Sequence, residues 1–441
     1  MTKLVSKPIR GLKGTAQVPG DKSISHRALM LGALAVGETR IAGLLESEDI
    51  FRTMEALRAL GVTVTPPENK SGLWRVQGMG NKSLATPASP LDLGNSGTSA
   101  RLLPGLVAGY PVRVVFTGDD SLRRRPMARV IKPLAQMGAR FEMEIPDRLP
   151  LAMTGSASLS PISYRLPVAS AQLKSAVLLA GLRAHGQTVV TEPQPSRDHT
   201  EKMLRLFGAE ITSERQADGS NIVTLSGYPV LKAQEITVPA DPSSAAFLAV
   251  AALITKDSDI TIPDVLVNRL RTGLYDTLRE MGADIVFENT REASGEPVAD
   301  MRVRTSALKG VFVPPDRVPA MIDEFPILAV AAAFAAGETV MTGLSELRVK
   351  ESDRLAAIAD GLAAAGVRVA AGEDSLRITG GHVRGGCAIE TGLDHRIAMS
   401  FLVLGLGAEE PVAVNGADAI ATSFPGFALL LNRLGAQISA S

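Results

Sequence analysis

Apolar positions in this chain come in blocks, and the blocks recur in a fixed setting. Ala/Leu-rich stretches such as the run opening at Ala28, Ser175–Leu182 and Phe325–Ala336 each follow a short polar knot, the place where a helix starts. A strand, a second polar knot and a second helix come next. That second helix ends in Gly, followed by Ala or Val and a closing strand, at Gly61, Gly138, Gly208, Gly282, Gly366 and Gly435. Glycine suits this position because it takes the left-handed conformation without a Cβ penalty. The third copy shows the order well: Tyr164–Pro167 extended, Ala169–Lys174 polar, Ser175–Leu182 apolar, Thr188–Glu192 β-like and Arg197–Phe207 helical. The glycines lie roughly 70–85 residues apart, beyond the 20–50 of a solenoid repeat. The pattern predicts an α/β protein of six βαβαβ-type units.

Two proline-centred breaks, Val18-Pro19-Gly20 and Val238-Pro239-Ala240, divide the units three and three. The expected lobes are residues 1–20 plus 240–441 (lobe one, with the N-terminal strand crossing over) and 21–239 (lobe two). Composition narrows the function. With 441 residues, 45% of them hydrophobic, the chain can bury a large core. Lys+Arg and Asp+Glu stand at 46 each, so the overall positive field of a nucleic-acid binder is absent and anion recognition must be local. The one cysteine, Cys387, excludes an internal disulfide and a thiolate metal site and reads as an inert, half-buried thiol. The N-terminus lacks the apolar core of a signal peptide, and the longest apolar run, Phe325–Ala336, is too short to span a bilayer. The expectation is a cytoplasmic monomer without membrane or nucleic-acid partners.

The polar knots carry the candidate chemistry. Asp21-Lys22-Ser23-Ile24-Ser25-His26-Arg27 and Asn95-Ser96-Gly97-Thr98-Ser99 offer capping side chains. Arg123-Arg124-Arg125 precedes Pro126, a residue favoured at the first helical position, and Asp198 and Glu201 have the spacing of a capping box beside Arg197. Lys350-Glu351-Ser352-Asp353-Arg354 and Asp394-His395-Arg396 repeat the pattern in lobe one. A helix N-terminus already carries about half a positive charge, so a cation there costs a few tenths to about 1 kcal/mol. Lys22, Arg125, Arg197, Lys350, Arg354 and Arg396 at such starts, in a chain of zero net charge, point to a small anionic ligand.

The first of these knots, with Val18-Pro19-Gly20 before it, resembles the N-terminal signature of the 5-enolpyruvylshikimate-3-phosphate synthase family. Leu93-Gly94-Asn95-Ser96-Gly97-Thr98 with Arg101, and Arg348-Val349-Lys350-Glu351-Ser352-Asp353-Arg354, resemble its other two. Arg125-Pro126-Met127, Ala169-Ser170-Ala171-Gln172 with Lys174, Arg197–Lys202 and Asp394–Met399 resemble the bacterial class II branch. The resemblance implies a two-lobed, inside-out α/β barrel of six βαβαββ-type repeats, with the active site in the cleft between lobes. It also implies transfer of the enolpyruvyl group of phosphoenolpyruvate to the 5-hydroxyl of shikimate 3-phosphate, with neither metal nor cofactor.

By the same resemblance, shikimate 3-phosphate falls to Lys22, Ser23, Arg27, Ser170, Ala171, Gln172, Arg197, Asp323 and Lys350. Phosphoenolpyruvate falls to Lys22, Gly97, Arg125, Gln172, Arg354 and Arg396. Asp323 is implied as the base at the 5-hydroxyl and Glu351 as the acid at the methylene carbon, with Lys22 completing the catalytic set. From the residues alone, Asp323 could instead cap the helix ahead of Pro326, and Glu351 could be a plain ion pair with Lys350 and Arg354. His26 and His395 are left without a role. Class I members carry a lysine just before the Thr-Phe-Pro that here reads Ala421-Thr422-Ser423-Phe424-Pro425, which removes one cation. Gly97, which some class II members replace with alanine, implies inhibition by glyphosate. The alternatives are a UDP-N-acetylglucosamine enolpyruvyl transferase, whose reactive cysteine is missing around Asp119–Arg125, and a non-catalytic phosphometabolite scaffold.

Overall fold

The Ala/Leu-rich stretches form helices buried along nearly their whole length, because a helix apolar on every face must be covered on every face. In the computed structural model, which describes residues 2–69 and 72–440, these are Lys22–Leu34, Gly97–Ala108, Ala171–Gly181, Pro242–Ile254, Phe325–Ala333 and His395–Gly407. Five of the six are capped by a side chain, four of them from a polar knot and the fifth by Asp241, which stood in none. Asp21 Oδ1 accepts from Ile24 N at 2.8 Å, Ser96 Oγ from Ser99 N at 3.3 Å and Ser170 Oγ from Leu173 N at 3.4 Å. Asp241 and Asp394 do the same for Ser243 N and Arg396 N, at 2.7 and 2.9 Å. Each such cap contributes about 1 kcal/mol. The sixth helix, Phe325–Ala333, starts after Glu324 with no side-chain cap. Asp323 therefore does not cap it.

The second helices all close in one way. Each of the six recurring glycines has positive φ, from 85° to 116°. The residue after each glycine donates its N–H to a leucine carbonyl five residues back: Val62 to Leu57, Ala139 to Leu134, Ala209 to Leu204, Ala283 to Leu278, Val367 to Leu362 and Ala436 to Leu431. This is the Schellman arrangement, built six times with Leu at the same place.

Two local expectations fail. Pro126 is not the first residue of a helix: a short helix, Asp120–Arg123, ends before it, and the next runs Ala128–Met137. Asp147 takes the N–H of Met127 at 2.6 Å and also that of Ala128, a cap supplied from outside the local sequence. The capping box of Asp198 and Glu201 does not form either. Glu201 turns inward to Lys174, at 2.6 Å, because a buried ammonium outbids a backbone N–H that solvent can reach.

The described residues form six four-stranded sheets. In the clearest, Ser163–Arg165 and Gln187–Glu192 run parallel, and Asn221–Ser226 and Ile211–Arg215 add antiparallel strands. Strand burial alternates, so one face of each sheet lies on the helices. With the two helices between strands, each repeat is βαβαββ, and the whole is the α/β repeat architecture the sequence suggests. Three sheets borrow a strand from elsewhere in the chain: Leu4–Ser6 pairs with Val412–Asn415 and Ile438–Ala440, Lys13–Thr15 with Asp259–Leu266, and Glu235–Thr237 with Glu38–Ala42.

The chain divides into two compact units. Lobe one is Met1–Pro19, Pro239–Glu292 and Pro297–Ser441; lobe two is Gly20–Val238 and Ala293–Glu296. In lobe one the Pro242–Ile254, Phe325–Ala333 and His395–Gly407 helices pack on one another to form the core. In lobe two the Gly97–Ala108 helix lies against the other two inner helices. Its approach to Ala171–Gly181 depends on Gly105, where a Cβ would sit 2.3 Å from the Ala176 carbonyl oxygen.

Candidate active site

In lobe one the polar knots converge on a single guanidinium. Arg354, the first residue of the Arg354–Ala364 helix, is 1% exposed. Its Nε donates to Asp394 Oδ2 at 2.8 Å, its Nη1 to Asp323 Oδ1 at 3.3 Å, and its Nη2 lies 2.6 Å from Glu351 Oε2. Burial opposes the charge, but Asp394, Glu351 and Asp323 outweigh it and raise the guanidinium above its ordinary value. Lys350 Nζ stands 3.7 Å from the same Asp323 oxygen, and Arg396 Nη1 donates to the Asp323 carbonyl at 3.2 Å. Asp394 caps the His395–Gly407 helix and also accepts Ser352 Oγ at 3.1 Å. The structure thus brings Asp323, Lys350, Glu351, Arg354 and Arg396 together. It adds Asp394, whose part the sequence reading missed although the residue stood in a named knot. Asp323 and Glu351 keep 17% and 18% of their side chains exposed, so both carboxylates are reachable.

Lobe two has a different character. Lys22, at the start of Lys22–Leu34, donates to Asp49 Oδ2 at 2.9 Å. Ser23 lends its carbonyl to Arg27 Nη1 at 2.9 Å; Arg27 Nε donates to Thr200 Oγ1 and Nη2 to Ser175 Oγ, both at 2.7 Å. Arg27 is thus a buried brace between helices. Ser170, Ala171 and Gln172 open the Ala171–Gly181 helix, partly exposed, and Gln172 Nε2 donates to Thr98 Oγ1 at 3.3 Å. Arg197 lies in the loop before His199–Leu206. Arg125 is oriented by Asn95: Nη1 donates to its carbonyl at 3.3 Å, and Nη2 donates to Oδ1 and to Ser121 Oγ. At Gly97 a Cβ would stand 2.9 Å from Arg125 Nη1 and 3.0 Å from Arg101 Nη1. Asp49, Asn95, Ser175 and Thr200 are partners that sequence reasoning did not find, although Asn95 and Thr200 stand inside quoted motifs.

The remaining candidates resolve simply. His26 is fully buried, its Nδ1 2.7 Å from Thr53 Oγ1, and burial holds its pKa well below the ordinary 6.5, with Lys22 and Arg27 adding to the effect. It is a neutral structural group at pH 7. Burial raises the Cys387 thiol, which keeps it protonated and unreactive. Thr422, where class I members are cationic nearby, donates its hydroxyl to the Ala419 carbonyl at 2.7 Å. Among the described residues, Asp198, His199 and Glu296 form a cluster with metal-like spacing. Lys202 Nζ occupies the cationic place there, 2.9 Å from Glu296 Oε2 and 3.7 Å from Asp198 Oδ2.

The same fold occurs in the enolpyruvyl transferase NikO from Streptomyces tendae, at a TM-score of 0.77 and 19% identity over 100% of this chain and 99% of that one. That likeness is one of fold, six four-stranded sheets in two compact units. An EPSP synthase from Acinetobacter baumannii superposes at a TM-score of 0.87 with 46% identity, covering 100% of both chains. A 3-phosphoshikimate 1-carboxyvinyltransferase of Paramagnetospirillum magneticum is 58% identical over 99% of this chain and 98% of its own length. The model of the EPSP synthase (3-phosphoshikimate 1-carboxyvinyltransferase) family matches residues 6–431. The chain belongs to this family, the enolpyruvyl transferases of the shikimate pathway.

Proposed function

We propose that the protein joins phosphoenolpyruvate to the 5-hydroxyl of shikimate 3-phosphate with a division of labour between its lobes: lobe two holds the sugar phosphate, residues of both lobes meet phosphoenolpyruvate, and lobe one moves the protons. The transfer itself is the reaction of the family. The sugar phosphate is received at the start of Ala171–Gly181 by Ser170, Ala171 and Gln172, with Ser23, Arg197 and the braced Arg27. The carboxylate and phosphate of phosphoenolpyruvate are met by Lys22, Gly97 and Arg125 of lobe two and by Arg354 and Arg396 of lobe one. Gln172 touches both ligands.

Asp323 takes the proton of the 5-hydroxyl, and that oxygen attacks C2 of phosphoenolpyruvate while Glu351 protonates C3. The intermediate is tetrahedral at C2. Glu351 then takes a proton back from the new methyl group as the C2–O bond to phosphate breaks. The proton held by Asp323 leaves with inorganic phosphate, so both carboxylates return to their starting state. Lys350 and Lys22 stabilise the charge that develops in between. Arg354 carries this reading: one buried guanidinium aligns the base, the acid and Asp394 at distances of 2.6–3.3 Å. A monomer in the reducing cytoplasm is part of the same reading.

The test is phosphate release from phosphoenolpyruvate with each acceptor in turn. Release with shikimate 3-phosphate and none with UDP-N-acetylglucosamine is expected. Release with the UDP-sugar alone would overturn the acceptor, and release with neither would favour a binding scaffold.

A further inference from the structure

Lobe two contains a charged cluster that the transfer does not use. Lys174, one turn into the Ala171–Gly181 helix, is 0% exposed. An ammonium has three protons to donate. Here three acceptors surround it: Glu192 Oε2 at 2.9 Å, Glu201 Oε1 at 2.6 Å and the Ser196 carbonyl at 3.3 Å. Glu192, also 0% exposed, accepts in addition from Ser196 Oγ and from Asn221 Nδ2, the latter at 3.1 Å. Burial works against the ammonium, but Glu201 and Glu192 outweigh it and hold its pKa above the ordinary value. Lys174 is therefore charged in the folded protein.

Such a cluster does not explain itself by stability. Well-packed apolar side chains of similar volume often serve as well as or better than a buried ion pair, because desolvation offsets most of the attraction. What the cluster adds is direction. Its ammonium joins the helix that opens with Ser170–Gln172 to the residue immediately before Arg197. The next residues along repeat the tie: Ser175 Oγ meets Thr200 Oγ1 at 2.6 Å, and both accept from Arg27. Residues 174 and 175 are thus matched to 201 and 200, and the loop carrying Arg197 is held at both ends.

The geometry points to Lys174, Glu192 and Ser196 as positioning residues that set the Arg197 loop against the Ser170–Gln172 helix start, so that both address one phosphate. The inference rests on the assignment of the sugar phosphate to these residues. None of the three touches substrate. They act through Arg197 and the helix start, so loosening them weakens the hold on shikimate 3-phosphate far more than on phosphoenolpyruvate, which this helix start meets through Gln172 alone.

The experiment compares Ser196→Ala and Glu192→Gln, both close in size to the parent, with Arg197→Ala. KM for each substrate, kcat and thermal unfolding are measured. The expected result is a rise in the KM for shikimate 3-phosphate of roughly threefold in Ser196→Ala and roughly tenfold in Glu192→Gln, as a sub-ångström misplacement produces. Arg197→Ala rises further, and KM for phosphoenolpyruvate stays within about twofold in all three. Unchanged KM values in Ser196→Ala and Glu192→Gln with a raised one in Arg197→Ala would overturn the positioning role alone. An equal rise for both substrates would overturn it as well, as general loosening. An unchanged KM in Arg197→Ala would remove the phosphate assignment and the inference with it.

Discussion

The two lobes are built from the same repeat yet place charge in opposite ways. In lobe one the carboxylates of Asp323, Glu351 and Asp394 stand against Arg354, with Lys350 and Arg396 beside Asp323. In lobe two the basic side chains Lys22, Arg27, Arg101, Arg125 and Arg197 lie at or near helix starts; Asp49 is the acid paired with Lys22, while hydroxyls, amides and carbonyls brace Arg27 and Arg125. Under the proposed function, this difference separates most of the binding from the proton transfers. A helix start with cations attracts an anion, whereas a carboxylate must be held by cations yet stay reachable before it can trade a proton.

The contrast breaks most readily at the carboxylates. Asp323→Ala and Glu351→Ala are expected to lower kcat by about 10²–10⁴-fold, the usual worth of a positioned acid or base, while both KM values change little. Stopped-assay kinetics check this, and a raised KM with parental kcat would return that residue to plain binding. Arg354→Gln leaves three carboxylates short of their shared cation and is expected to cost about 3–5 kcal/mol, read from denaturant unfolding. A loss below about 1 kcal/mol would mean that the three acids do not depend on it.

Smaller effects sharpen the lobe-two side. Gly97→Ala pushes on Arg125 and Arg101, and a KM for phosphoenolpyruvate raised by roughly threefold to tenfold is expected, with weaker inhibition by glyphosate. Equal glyphosate inhibition in parent and variant would show that the methyl group is accommodated. His26 is expected to act on stability alone. Its folded pKa is depressed, so its contribution is complete above 6.5 and is lost as pH falls from there toward the native value, where the unfolded chain alone binds the proton. Thermal melts from pH 7 to 5 should show stability falling by up to about 1.4 kcal/mol per unit from this group. His26→Asn should flatten that limb, and an unchanged slope would assign it elsewhere.

Much of the fold was legible because its signals are local. Six glycines that end helices, a leucine five residues before the residue after each, and Asp or Ser ahead of five inner helices are all readable within one helical turn or two. Six cations of the candidate site, Lys22, Arg125, Arg197, Lys350, Arg354 and Arg396, were legible at or beside those starts; the other candidates, Asp323 among them, and every role came from the family resemblance. The misreadings share a cause. Asp198 and Glu201 have capping-box spacing, but Glu201 is drawn away by Lys174, 27 residues earlier in the chain. Pro126 has the look of a helix opening, but Asp147 caps a later start.

Residue order alone settles where helices begin and end, which stretches must be buried, and that cations gather at helix starts, since caps, turns and periodicity act over a few residues. Only the folded chain decides which of those charges gather with carboxylates around one guanidinium and which become braces. Asp323, Arg354 and Asp394 meet although 31 and 40 residues separate them, and Arg27 finds Ser175 and Thr200 at separations of 148 and 173. Electrostatic energies depend on ångström distances and on the dielectric of the surroundings, and neither exists until the lobes have packed.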